Sequence, residues 1–265
     1  MPEVSSAVPG HWPIFVISLA DAAVRRDNIR SRLDELGLQV SFMDAIDGRR
    51  GLPAEYESWI DRPKTLERRG YPMSDGEYAC ALSHQVLYRR VVDENLPGAI
   101  ILEDDVTPTP LFRDFVQKRG YERADLIQLF FFDAKVFRFP KPALTDRIRM
   151  RRLTENAFMA AGYSISRRGA THLVKKCTPL SERADWPCDV TRIGAAVTQP
   201  RLVMHPDPAK SESSLNAGRA NLVPEGFDYS ARYAKGWHRL YRPRYWRSFV
   251  RNRLSERLAP GFDPD

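Results

Sequence analysis

The sequence predicts an α/β fold, and three observations point to it. Apolar runs of strand length alternate along the chain with segments whose apolar residues recur at helical spacing. Residues 13–45 close a β-α-β unit on their own. At 265 residues, 43% of them hydrophobic and 28% charged, the chain can bury a full core without disulfide or structural-metal staples.

Pro13 to Leu19 is the first buried strand. Asp21 stands where an N-cap belongs, ahead of a helix with Val24, Ile29, Leu33 and Leu36 at helical spacing, and Gly37 ends that helix. Leu38 to Met43 is the second strand. From Asp47 to Pro72 the chain is charged and interrupted by Gly48, Gly51, Pro53, Pro63 and Gly70, which predicts a long irregular loop of the kind that serves as a lid or binding loop. Ser74-Asp75-Gly76-Glu77 is a capping box, opening a helix with Cys80, His84, Leu87 and Val91 along one face and stopped at Leu96-Pro97-Gly98. Ala99 to Leu102 is a short apolar strand that runs straight into Glu103-Asp104-Asp105, and Pro108 and Pro110 break the chain beyond it. Asp125 to Phe132 reads as a long apolar strand, Arg147 to Leu153 as an alternating basic one, and Phe158 to Ile165 as a further apolar run before a helix over 169–176. Asp185 to Asp189 falls in a loop, and Arg201 to His205 is the last strand expected. The organisation is an arm over 1–12, a body over 13–224 and a tail over 225–265.

The formal charge of +7 is concentrated in that tail. Nine Lys and Arg lie between Arg232 and Arg257 against the single acid Glu256, which leaves the rest of the chain near neutral. A near-neutral body argues against nucleic-acid binding. Tyr233, Trp237, Tyr241, Tyr245, Trp246 and Phe249 interleave with those cations, a composition suited to an anionic membrane surface, to packing against a partner, or to stacking on nucleic acid. Among these the membrane surface is favoured. No run approaches the roughly 18 apolar residues of a membrane span. The N-terminus has no basic and apolar signal pattern, and the three cysteines match no zinc or disulfide spacing, so a reduced, cytoplasmic protein is expected.

Glu103-Asp104-Asp105, at the carboxyl end of a strand, is the strongest chemical signal. Adjacent carboxylates repel, and a divalent cation or a set of donors relieves them. Side-chain alternation turns Glu103 and Asp105 to one side, a half-site for Mg²⁺ or Mn²⁺ with a substrate phosphate; the bland alternative is a solvated acidic turn. His84 reads as a core histidine or an active-site one, and Asp189 as a turn cap or a functional carboxylate. Arg25 and Arg26 form either a solvated face or an anion clamp beside the first strand's end.

Taken in order, these segments resemble glycosyltransferase family 25, the lipooligosaccharide galactosyltransferase type that also includes collagen galactosyltransferases. The resemblance runs through Ile17-Ser18-Leu19, Arg25-Arg26, Phe42 to Gly48, Ser74 to His84, Ala99 to Val106, Tyr163 to Ala170 and Trp186-Pro187-Cys188-Asp189, with Ser211 to Ser214 where members often carry serines. It implies a GT-A-like fold that binds nucleotide diphosphosugars on a mixed central sheet flanked by helices. The implied reaction is an inverting transfer, usually of galactose from UDP-galactose, onto a lipooligosaccharide or other cell-surface glycan.

On that resemblance Asp105 and Glu103 are the expected metal ligands for Mn²⁺ or Mg²⁺, with Asp104 supporting, and Ser18, Arg26 and Asp47 face the nucleotide. His84 becomes an active-site residue. Asp189 is the expected base for the acceptor hydroxyl, with Asp133 and Asp185 as alternatives. A lipid-anchored acceptor would suit a tail, 232–257, that rests on the inner face of the cytoplasmic membrane. Met159-Ala160-Ala161-Gly162 departs from the family, many members of which carry a threonine there, and this leaves the donor sugar open. A metal-dependent phosphohydrolase fits less well, because five scattered histidines assemble no two-metal site, and a non-catalytic basic binding protein leaves the acidic cluster without a role.

Overall fold

Ile14–Ser18 (β1) is buried from end to end, and its alternation serves two cores: Ile14 and Val16 pack on one face of the sheet, Phe15 and Ile17 on the other. The computed structural model describes residues 10–206, 222, 251 and 253–260. Helix Ala23–Glu35 (α1) has Ala22 at its N-cap and no side-chain cap; Asp21 instead receives Arg49. Gly37, at φ 68, turns the chain as expected into Ser41–Asp44 (β2), which pairs parallel to β1.

The stretch from 47 to 72 is not the irregular loop its glycines and prolines predict. It holds a 3-10 turn over Ala54–Trp59 and the helix Arg62–Arg69 (α2). Asp61 caps α2 through Lys64 N, Pro63 sits in the first turn, where it displaces no helical hydrogen bond, and Gly70 ends the helix at φ 77. The residues that read as loop punctuation are this helix's start and stop. Asp75–Asp93 (α3) carries the expected capping box between Ser74 and Glu77. Gly98–Glu103 (β3) then pairs parallel to β1 on the side away from β2. After Thr107–Pro108 (β4), Pro110 does not break the chain but occupies the first turn of the helix Pro110–Gln117 (α4).

The apolar run from 125 to 132 forms only a short strand, Leu126–Gln128 (β5). Leu129, Phe130 and Phe131 are buried all the same, because such a run reports burial and not membership of a ladder. Ala134–Phe137 (β6), Arg149–Arg152 (β7), Gly162–Ser166 (β8), helix Arg167–Lys176 (α5), Ala196–Gln199 (β9), Val203–Met204 (β10) and Ser255–Leu258 (β11) follow. The seven-stranded sheet runs β2-β1-β3-β8-β5-β9-β7 and is mixed, with β8 antiparallel to β3 and β5, and β7 antiparallel to β9. Side chains of α3 and α5 belong to one core, and those of α1 and α4 to the other. The expected α/β class, a mixed central sheet flanked by helices, is what the chain adopts.

Two small ladders complete the fold. β10 pairs with β4, and β11, from the end of the segment expected as a tail, pairs antiparallel with β6. Glu256 of β11 forms an ion pair with Arg151, which is buried in β7 and also donates to Gln199 Oε1 at 2.5 Å and Phe137 O at 3.0 Å. Arg257 holds Asp133. Residues 232–250, which carry most of the membrane expectation, lie outside the described residues, as does the serine segment 211–214. Among the described residues no helix is long and apolar enough to cross a membrane.

Candidate active site

The carboxyl ends of β1, β2 and β3 lie on one edge of the sheet. The chain runs from β1 outward to β2 and then back to β3 on the other side of β1. That reversal opens the crevice in which open α/β sheets hold their ligands. Ser18 ends β1 at the crevice, and its hydroxyl donates to Asp104 Oδ2 at 2.6 Å. Arg25, from the first turn of α1, donates to Asp104 Oδ1 at 3.1 Å. Burial holds the Asp104 carboxyl above its ordinary value, opposed by Ser18 and Arg25.

Arg26, the expected nucleotide contact, is engaged elsewhere. Its guanidinium donates to Leu19 O at 3.0 Å, Ser18 O at 2.8 Å and Asp44 Oδ1 at 2.5 Å, and lies over the Phe42 ring. It fastens the end of β1 to β2, and it is Arg25 that reaches the acidic cluster. Asp47 follows β2 and accepts from Arg49, whose guanidinium bridges to Asp21. The Arg49 hydrogen bonds bring the Asp47 carboxyl down to about 2.

Glu103 ends β3 and Asp105 lies in the turn that follows, outside the ladder whose alternation the expectation used; the two still converge, and His205 joins them, with one ligand atom from each within 4.8 Å of the others. The β10–β4 ladder pairs Met204 with Thr107 and so delivers His205 to Asp105, with Nε2 3.4 Å from Oδ1. His205 Nδ1 lies 2.6 Å from Pro206 O, which only accepts, so Nδ1 carries the proton. Burial disfavours the charged imidazole, but Asp105, then Glu103 and the Pro206 carbonyl, push His205 up to about 9. Burial alone would raise Asp105, whereas His205 and Arg25 bring it below its ordinary value. Asp105 Oδ1 is buried and accepts no well-directed hydrogen bond. Two carboxylates and an imidazole gathered at the strand ends are a donor set that fits Mn²⁺ or Mg²⁺.

On the other side of Glu103 stands His84, 1% exposed. Its Nε2 is 3.3 Å from Glu103 Oε1, and its Nδ1 is 2.7 Å from the Tyr163 hydroxyl, which donates to Tyr88 at 2.9 Å. One ring thus serves both the core network and the acidic cluster. Cys80, one helical turn earlier, places its thiol within 4.8 Å of the same group.

The loop carboxylate beside this cluster is Asp185. Its Oδ1 accepts from Met159 N and Ala160 N, both at 3.1 Å, and burial followed by the charge of Glu103 raises its carboxyl. Arg183 pairs with Glu77 at 2.7 Å, tying the loop to the capping box of α3. Asp189 caps the 3-10 turn Val190–Ile193 by accepting from Thr191 N at 3.1 Å and Thr191 Oγ1 at 2.6 Å, and its charge is felt by His172 on α5. Asp133 is taken up by Arg257.

Beyond His205 lies a cavity of about 570 Å³ with Thr109, Phe131, Gln199, Arg201, Met204 and Arg257 in its wall. Arg201 of this wall lies 5.0 Å from the centre of the Phe130 ring, whose centre is 5.5 Å from that of His205. His205 carries no local sequence signal; only the β10–β4 pairing marks it.

Comparison with known proteins bears on the family. Residues 11–190 match the family described as glycosyltransferase family 25 (LPS biosynthesis protein). The lacto-N-neotetraose biosynthesis glycosyltransferase LgtE of Neisseria gonorrhoeae is 33% identical over 162 residues, covering 57% of this chain and 56% of the relative. A putative glycosyltransferase of Haemophilus influenzae is 28% identical over 221 residues, 77% of this chain and 76% of the relative. Procollagen galactosyltransferase 2 of Mus musculus is 27% identical over 173 residues, 62% of this chain but 28% of the relative. A glycosyltransferase 25 family member of Aedes aegypti is matched over only 19% of its length, so the chain spans well under half of these two animal relatives.

Proposed function

The chain belongs to glycosyltransferase family 25, and from that premise we propose that it is an inverting hexosyltransferase of GT-A-like fold. It moves a hexose, in the first place galactose from UDP-galactose, onto a sugar hydroxyl of a bacterial lipooligosaccharide or other cell-surface glycan. The observation that carries this reading is the acidic cluster at the β1–β3 crevice, with Asp104 held by Ser18 and Arg25 while Asp105 and Glu103 converge with His205.

Glu103, Asp105 and His205 would hold Mn²⁺ or Mg²⁺. Such an ion, when bound, supplies charge neutralisation for the departing nucleoside diphosphate. Ser18 and Arg25 keep Asp104 oriented at the donor side, and Asp47 with Arg49 borders the nucleotide. His84 positions Glu103 from behind. Asp185 is the preferred base: amide hydrogen bonds fix one oxygen, and its raised carboxyl suits removal of a proton from the acceptor hydroxyl as that oxygen attacks the anomeric carbon opposite the leaving group. Asp189 then shapes the loop that carries Asp185. The cavity beside His205 receives the acceptor sugar. The basic, aromatic residues 232–250 suit contact with anionic lipid at the cytoplasmic membrane face, a reading that rests on their composition.

The test is product analysis with UDP-galactose, Mn²⁺ and lipooligosaccharide acceptors. A β-linked galactoside seen by proton NMR is the expected product. An α-linked product would overturn inversion, and phosphate release without transfer would favour a phosphohydrolase. Thermal stabilisation by UDP, GDP and CMP, each with Mn²⁺ or EDTA, identifies the donor class independently.

A further inference from the structure

We propose that Cys80, His84 and Glu103 form a second cation site, one for a thiophilic divalent ion such as Zn²⁺, distinct from the Glu103, Asp105 and His205 group and sharing only Glu103 with it. The four-residue spacing on α3 puts Cys80 and His84 on one helix face, and their ligand atoms lie within 4.8 Å of each other and of a Glu103 oxygen.

The orientation of His84 supports the site. With its proton on Nδ1, 2.7 Å from the Tyr163 hydroxyl, His84 presents the lone pair of Nε2 on the side of Glu103 Oε1, 3.3 Å away, where a cation is held by both. The separation of 3.3 Å is also the edge of a tetrahedron whose bonds are about 2.0 Å, as zinc makes to imidazole and carboxylate. A ligating histidine whose other N–H is held by an oxygen is the usual outer-shell arrangement.

Glu103 sets a carboxylate beside both the Cys80 thiol and the His84 imidazole. The thiol gives its proton to solvent as the sulfur–metal bond forms, leaving the thiolate on the ion. A thiolate, an imidazole and one carboxylate select a borderline-soft metal, whereas Glu103, Asp105 and His205 suit a harder one. Glu103 is 27% exposed and gives the ion its way in.

Cobalt as a spectroscopic stand-in for zinc tests this on the full chain. One equivalent of Co²⁺ should give a thiolate-to-cobalt charge-transfer band, bleached by one equivalent of Zn²⁺, retained in Asp105→Asn and in the double variant Cys177→Ser/Cys188→Ser, and lost in Cys80→Ser. Cys80→Ser should weaken zinc at least about tenfold with an unchanged circular dichroism spectrum. Zn²⁺ should also shield Cys80 of the parent protein from alkylation, and Mg²⁺ should not, a readout independent of how the variants fold. Absence of the band in the parent, its survival in Cys80→Ser, or its loss in Asp105→Asn would overturn the proposal. None of these readouts depends on sugar transfer, so failure of the transferase reading would leave them unchanged.

Discussion

Arg25 and Arg26 are neighbours in sequence with separate tasks, because one helical step turns one toward Asp104 and the other toward the chain's own carbonyls. Arg26→Ala removes a charged donor from two backbone oxygens and should cost about 1–3 kcal/mol in denaturant unfolding. Arg25→Ala removes a half-exposed ion pair and should leave stability within about 0.5 kcal/mol, yet weaken UDP binding in the presence of Mn²⁺. The paired carboxylates of the 185–189 loop divide in a similar way. Asp185→Asn keeps the amide contacts of Oδ1 and should lower kcat by about 10²–10⁴ with KM little changed. Asp189→Asn disturbs a cap and an exposed ion pair with Arg192 and should change kcat by less than about tenfold; steady-state kinetics on the pair would show whether the assignment to Asp185 holds.

At the level of elements, the capping box of α3 does more than start a helix. Glu77 accepts from Ser74 N at 3.0 Å with one oxygen and pairs with Arg183 through the other, so the start of α3 and the Asp185 loop are one assembly. Ser74→Ala should destabilise by about 1 kcal/mol, seen as a melting temperature lower by roughly 2–4 °C. The loop after β2 is held just as closely against this helix: a Cβ on Gly48 would lie 2.5 Å from Asp75 O. Gly48→Ala must therefore move the Asp47 loop, and weaker nucleotide binding with an intact α/β circular dichroism spectrum is the expected result.

Over the whole molecule, the C-terminal strand closes the fold through Arg151 and Glu256. Arg151 keeps the Glu256 carboxyl below its ordinary 4.5. Because the folded value is the lower one, the stabilisation is complete above pH 4.5 and is lost as pH falls through the depressed value. Glu256→Gln should lower the melting temperature at pH 7, and the gap between variant and parent should close as the solution is acidified below that point. A gap that stays constant across that range would show that the carboxylate charge does not hold β11.

Much of the fold was legible because its signals are local. Alternation in β1 and β3, the Ser74–Glu77 box and Gly37 each act within a few residues, and the acidic run follows directly on the end of β3. Where local signals serve two purposes the reading went astray: the prolines and glycines of α2 and α4 start and stop helices as readily as they break chains. Long-range pairing decided the rest. His205 reaches Asp105 only because β10 pairs with β4, Arg151 meets Glu256 across 105 residues, and the Asp185 loop is tied to α3 through Arg183 and Glu77. Sequence by itself determined which elements form and where the acidic cluster sits. Tertiary structure alone decided which side chains complete that cluster, since proximity between distant residues is a product of packing and leaves no periodicity in the chain to read.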